Sequence, residues 1–449
     1  MTTATASKGL QVRLVQAAAL IVVLGVLLIA TQLAPEARSV VGTMAGLGVL
    51  LLAGTLTSEL AEIVRLPHLS GYLAAGLICG PHVLRLIDLE TIDRLQPVNS
   101  LTLALIALAG GAELRLDVLR KRSRSVAWAT ITQSTLVFAA EFAAFLALAS
   151  FTPFVGMQRS QLFAVAVIWA VLAVSRSPAA ILGIFAQLRP KGPLAEFSLA
   201  FVMFSNVVVI LMMAIAIALV RPLLDVGAGM SFSDLETLLN ELAGSTVLGV
   251  TLGIVLTVYL RLVGQNLLLV LLLLGLGLSE LLRYIRLDAM LSFLVAGFVV
   301  ENFSAQGRKL VKGIADTGAV VYVIFFALAG AHLELDLLRV FWPITVGMCA
   351  IRALSTYAAA RASSWIAGDE PTLRRWGWSG LVSQAGLALG LVIVVSRAFP
   401  SIADAFRSMA IAVIAVNEII GPIIFKIGLD AAGESRAGDD PEAPPSSVG

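Results

Sequence analysis

The chain has 449 residues, of which 59% are hydrophobic and 13% charged, with a formal net charge of +2; an ordinary soluble domain carries roughly 25% charged residues. A mean hydropathy of +0.95 excludes a water-soluble fold, and a net charge this small gives no reason to expect a nucleic acid partner. Cys79 and Cys349 are the only cysteines and lie far apart, which suggests neither a disulfide framework nor a zinc site. No glycine-rich phosphate loop or nucleophile elbow occurs, so neither an enzyme nor a resident cofactor is expected.

Apolar runs such as Leu14–Leu33 and Val202–Val220 are long enough to cross a ~30 Å hydrocarbon core as helices. They are continuous rather than alternating, which selects helices over a barrel. In chain order they predict an all-α, polytopic protein of about 13–14 spans. The centres fall near residues 22, 52, 77, 105, 138, 173, 208, 252, 275, 296, 323, 351, 387 and 415. The first run follows Lys8 and Arg13 and exceeds the apolar length of a signal peptide, so it reads as an extra N-terminal span over 1–39. The third and tenth spans look short.

Basic residues gather in alternate loops: Arg115, Arg120, Lys121, Arg122 and Arg124, then Arg189 and Lys191, Arg308, Lys309 and Lys312, then Arg374 and Arg375. The positive-inside rule makes those loops and both termini cytoplasmic, in a plasma (inner) membrane. The intervening loop around 222–241 carries Asp225, Asp234, Glu236 and Glu241, and 223–265 reads as a linker loop and linking helix. The segment 429–449 is a polar tail expected to be disordered.

An internal repeat runs through this series. Ser58-Glu59-Leu60, Arg65-Leu66 and Tyr72-Leu73-Ala74-Ala75-Gly76 return with identical spacing as Ser279-Glu280-Leu281, Arg286-Leu287 and Phe293-Leu294-Val295-Ala296-Gly297. Gly111-Ala112-Glu113-Leu114 and the following Asp117 and Arg120 return as Gly330-Ala331-His332-Leu333, Asp336 and Arg339. The first copy (40–222) begins at the second span and the second (266–428) at the ninth. A displacement by an odd number of spans inserts the copies in opposite orientations. Inverted repeats of this kind characterise secondary transporters, whose substrate sits near the midplane between helices broken by Gly or Pro. Ser175-Arg176-Ser177-Pro178 in the sixth span and Ser383-Gln384-Ala385-Gly386 in the thirteenth supply such breaks. Gly76, Gly111, Gly297 and Gly330 fit close helix packing.

Leu66-Pro67, Gly71-Tyr72, Ala75-Gly76, Gly80-Pro81 and Phe325-Phe326 are the residues by which the chain, over about 40–428, resembles the monovalent cation/proton antiporter superfamily. Within it the likeness is to sodium/hydrogen exchanger-like proteins with a Kef-type membrane domain. The resemblance implies a homodimer in the lipid bilayer and a sodium/hydrogen exchanger-like fold with two crossed broken helices. It further implies exchange of a monovalent cation, Na⁺ or K⁺, for protons by elevator-like alternating access. Relatives carry an Asp in the helix after the first broken span; here Ser205-Asn206 stands there, and Asn does not titrate. Arg176 replaces a small residue of the relatives, whereas Arg352 matches a basic position.

An ionisable group within a span costs about 2.5–3.5 kcal/mol on insertion scales, so each should face a partner or a wet cavity. Arg176, Glu141, Arg352 and Glu418 are such groups. Asn206 and Asn417 hold related places in the two repeats, which makes Glu418 the first candidate to replace the missing acid, with Glu141 second. Ser205, Ser177, Ser383 and Gln384 are further candidate ligands; Arg352, Pro178 and Gly386 are expected to be structural or gating. Three readings stay open: cation/proton antiport, transport of an anion or carboxylate through a positive midplane, and a degenerate homologue that transports nothing. Static salt bridges of Glu141 and Glu418 with Arg352 and Arg176 are the structural alternative for the buried charges.

Overall fold

The computed structural model describes residues 22, 40–224, 233–263, 267–285, 287–333 and 335–435, and among these no strand occurs. The expected N-terminal span and most of the polar tail lie outside the described residues. The main helices follow in order. They are α1 Val40–Ile63, α2 His68–Cys79, α3 Gln96–Glu113 and α4 Leu116–Ala147; the broken α5, Arg159–Val174 (α5a) and Pro178–Leu188 (α5b); and α6 Pro193–Leu224 and α7 Ser233–Leu262. The second half has α8, Leu267–Leu273 continued through Ser279–Tyr284, then α9 Ala289–Phe303, α10 Gly307–Ala331 and α11 Leu335–Ala367. A 3₁₀ turn at Ser379–Leu381, α12 Gly386–Ala398 and α13 Ala403–Ala432 complete it. Seven of the described helices are long and apolar enough to cross a membrane, and α2 and α9 are shorter apolar helices, as the third and tenth runs predict.

The first three helices of each repeat form one body and the last three another. α1–α3 pack with α9 and α10, and α7 lies against α9; α4–α6 pack among α11–α13. We call the first group the panel and the second the core. In the panel, α2 lies on α10 and α3 on α9, so the short helix of each repeat sits on the long helix of the other. Glycines set these approaches. A Cβ on Gly76 would overlap the Ala327 carbonyl, and one on Gly297 the Leu108 carbonyl; Gly111 meets Leu294 and Gly330 meets Leu73 in the same way. Ala327 is the repeat counterpart of Leu108 and Leu294 that of Leu73, so every contact has its mirror. That reciprocity is what two inverted-topology copies require. Lipid gives helices little hydrophobic reason to associate, so close backbone contact at small residues has to hold such a panel together.

The core and panel meet along a seam of a different kind. Leu69 of α2 lies against Gly183 of α5b, and Leu182 of α5b and Met203 of α6 reach Gly110 of α3 through their terminal carbons. Polar contacts also cross it: the His68 N–H donates to Gln187 Oε1 at 2.9 Å, Lys426 Nζ donates to the Arg65 carbonyl at 2.9 Å, and the Leu116 N–H at the start of α4 donates to Asn302 Oδ1 of α9 at 2.7 Å.

At one end of the bundle the basic loops converge, as the alternating charge pattern requires. Arg122 bonds Glu196 at 3.1 Å and also pairs with Glu370, while the Lys191 N–H donates to the Glu434 carbonyl at 3.2 Å. The buried Glu434 carboxylate accepts from the Leu194 and Ala195 N–H groups at 2.8 and 2.9 Å, capping the start of α6 from the far end of the second repeat. Gly192, at φ +155°, leaves room for that carboxylate.

Candidate functional site

Both helix breaks lie where the sequence puts them. Pro178 has no N–H and disfavours helical backbone at Ser177; α5a accordingly stops at Val174, Ser177 is extended, and its hydroxyl caps α5b by accepting from the Ala180 N–H at 3.2 Å. The second break runs from Val382 to Ala385. The two breaks touch: the Ser177 N–H donates to the Ser383 carbonyl at 3.0 Å.

A helix that ends inside a bundle leaves carbonyls without donors and a partial negative charge. Two arginines, each 1% exposed, supply the donors. Arg352 of α11 gives Nε to Ala173 O at 2.8 Å, Nη2 to Ser175 O at 2.9 Å, and Nη1 to Val382 O and to Asn417 Oδ1, the last at 3.3 Å. Arg176 turns back on its own helix, giving Nη1 to Ala173 O and Ser175 O at 3.0 Å. Its Nη2 reaches Gln133 Oε1 at 2.9 Å and Thr356 Oγ1 at 3.3 Å. Gln384 donates to Leu172 O at 3.0 Å and Ser175 Oγ at 3.1 Å, and its own oxygen accepts from Asn417 Nδ2 at 3.0 Å. Arg176, Arg352, Ser177, Pro178, Ser383, Gln384 and Asn417 therefore form one connected knot.

The remaining candidates lie on α4, α6, α12 and α13. Asn206 is buried on α6 with no partner for Oδ1, next to Ser205, whose hydroxyl returns to Val202 O at 3.2 Å. Ser383 Oγ and Glu418 Oε1 are likewise buried without a partner. Glu418 lies one turn before Gly421, whose backbone packs on Ser383 so closely that a Cβ would collide with it. Glu141 of α4 accepts from the Trp169 indole N–H at 3.0 Å through Oε2, while Oε1 has no partner. Among the described residues neither Glu141 nor Glu418 forms an ion pair with Arg176 or Arg352, so the expected static salt bridges are replaced by guanidinium bonds to backbone carbonyls. Gly386 starts α12, and a Cβ there would meet nothing within 4 Å, so it provides no close packing.

Sequence reasoning passed over Gln133, Thr356 and Trp169. Gln133 opens a π turn in α4 and also donates to Thr356 O at 3.0 Å, linking α4, α11 and Arg176. A lone amide inside an apolar span was the available signal, since such groups need partners in lipid.

A cavity of about 580 Å³ separates α5b of the core from α2, α3 and α10 of the panel. His68, Tyr72, Glu113, Gln187 and Tyr322 give it polar walls, and Arg189 and Lys191 set it at the end that carries the basic loops. Leu182, one helical turn from Pro178, is part of its lining.

No curated protein matches the sequence. Two solved structures of the sodium proton antiporter MjNhaP1 from Methanocaldococcus jannaschii are similar in fold at 17% identity. The one at pH 8 covers 87% of this chain and 96% of its own with a TM-score of 0.62. The other, from an electron microscopy map, covers 88% and 96% with a TM-score of 0.65. The family described as sodium/hydrogen exchanger, transmembrane, matches residues 47–430, nearly all of the helical bundle, and the chain belongs to that family.

Proposed function

We propose that this protein is a secondary active transporter that exchanges a monovalent cation, Na⁺ or K⁺, for protons. The core (α4–α6 and α11–α13) moves against the panel in the manner of an elevator. Residues 40–222 and 266–428 are the two repeats, 223–265 links them, and 1–39 and 429–449 are the added span and tail. The protein works as a homodimer in the plasma (inner) membrane with both termini cytoplasmic.

The observation that carries this reading is a set of buried oxygens, on Ser383 in the knot, on Glu418 beside Asn417, and on Asn206 of α6. Asn206 Oδ1, Ser383 Oγ and Glu418 Oε1 lack donors, while the breaks' carbonyls already hold guanidinium groups. Oxygen atoms without donors at a broken-helix crossing suit a hard cation. Glu418 supplies the negative charge that Asn206 cannot. Eight bonds from Arg176 and Arg352 go to protein oxygens and Arg176 Nε alone of their nitrogens has no acceptor, so most of this positive charge is already committed, which favours the cation reading over anion transport.

The test is proton movement driven by a Na⁺ or K⁺ gradient in proteoliposomes. Wild-type protein should exchange, Glu418→Gln should not, and Asn206→Asp should still exchange, with an altered pH dependence. Full activity in both Glu418→Gln and Glu141→Gln would end the assignment of the acid. A silent wild type that gains flux only as Asn206→Asp would mark a degenerate transporter.

A further inference from the structure

Glu141 is 1% exposed, and its unpartnered Oε1 belongs to a carboxylate that lines a small cavity between α4, α5a, α11 and α13. The cavity is about 10 Å³, room for one water. Arg352 and Gln384 line it as well, among the apolar walls of Leu172, Ala410 and Val413. A water there would find three polar neighbours, the number that buried waters usually have. The charged or titratable groups that face Glu141 are Arg352 and Cys349 of α11 and Arg176 of α5.

We infer that this cavity holds one water joining Glu141 Oε1 to Arg352 and Gln384, and that Glu141 is where the exchanged proton resides. The cation then sits elsewhere, on the unpartnered oxygens of Asn206, Ser383 and Glu418. The inference rests on the exchange reading above and adds how the two fluxes are linked. Arg352 touches both breaks, through Ser175 O and Val382 O, so its charge is felt throughout the crossing. With Glu141 ionised, the guanidinium is compensated and a second cation can approach. When a proton adds to Oε1, the carboxylate becomes a neutral acid, the water turns to accept from the new O–H, and the uncompensated guanidinium repels the incoming cation. Cation and proton thus oppose each other without sharing a ligand, and the linkage is reciprocal by necessity. An Asn at 206 is compatible with this arrangement, because the proton no longer needs that position.

The experiment adds Na⁺ or K⁺ to weakly buffered, detergent-purified full-length protein and reads proton release together with cation-induced thermal stabilisation. Wild type should release protons on cation addition. Glu141→Gln, a fixed copy of the neutral acid, should lose the release and need more cation for the same stabilisation at every pH, whereas Glu418→Gln should lose both release and stabilisation. Ala410→Val, which fills the cavity with methyl groups and leaves every polar group in place, should lose or markedly slow the release. Undiminished release from Glu141→Gln overturns the inference and leaves the exchange reading standing; undiminished release from Ala410→Val overturns the water. If Glu141→Gln cannot be purified folded, infrared spectroscopy of wild type and Ala410→Val takes its place. A protonated-carboxyl band lost on cation addition in wild type and unresponsive in Ala410→Val supports the inference, and a wild type without that band overturns it. Absence of exchange in wild type overturns both readings.

Discussion

Asn206 and Asn417 hold corresponding places in the two repeats, yet their surroundings differ. Asn417 is held on both sides: Nδ2 reaches Gln384 Oε1 and Val413 O at 3.0 Å, and Oδ1 accepts from Arg352. Asn206 has a carbonyl oxygen with no donor at all. The backbone repeats, and the chemistry does not. The second repeat uses its amide to fasten α12 and α13 to the crossing, and the first repeat leaves the equivalent oxygen available to a ligand. A pseudo-symmetric fold can in this way carry one rigid and one receptive half.

The largest test of this contrast is Arg352→Met. It removes four hydrogen bonds: Val382 O and Asn417 Oδ1 lose their donor, each costing about 1–3 kcal/mol, while Ala173 O and Ser175 O are left to Arg176 alone. Thermal unfolding in detergent should show a severe loss of stability, and a mild one would mean that the knot does not hold the crossing. Next comes the pair itself. Asn417→Leu should destabilise by about 1–3 kcal/mol through the unpaired Gln384 oxygen, whereas Asn206→Leu should leave stability within about 0.5 kcal/mol and abolish cation-induced stabilisation. Equal losses in the two variants would erase the distinction between the halves. Gln133→Leu takes one acceptor from Arg176 and should cost about 1 kcal/mol, a measure of how firmly the first repeat's own arginine is held.

The smallest effect is expected where the second repeat reaches back to the first, at Glu434. Burial pushes this carboxyl above the ordinary carboxylate range, more than the Leu194 and Ala195 N–H groups and Arg122 pull it down. With the folded value above the unfolded one, the contribution to stability is present below the unfolded value and lost as pH rises through the folded one. Glu434→Gln should remove that downward slope from the pH profile of thermal stability. An unchanged slope would mean that this cap does not titrate on unfolding.

Much of this could be read from residue order. The duplicated Ser-Glu-Leu and Gly-Ala blocks foretold two copies, Pro178 foretold the first break, and the apolar lengths foretold the short α2 and α9. The partners of the buried charges were not legible. Sequence shows carboxylates as the obvious mates of arginines, because the carbonyls at the ends of broken helices have no letter of their own. Arg176 and Arg352 bind those carbonyls, and Glu141 is held by Trp169, a residue that reads as one more apolar member of its span. Asn206 was singled out for what it lacks. That its oxygen also has no donor depends on which way α6 faces, and periodicity in a uniformly apolar helix does not encode that.

The four reciprocal glycines have a mechanical corollary. Where main chain rests on main chain, as at Gly76 with Ala327 and Gly111 with Leu294, there is no soft layer to shear. Across the boundary with the other six helices, branched and thioether tips of Leu69, Leu182 and Met203 fill the gap, and these can change rotamer. Stiffness is thereby written into side-chain size: a panel jointed through bare backbone, and a core that meets it through pliable tips.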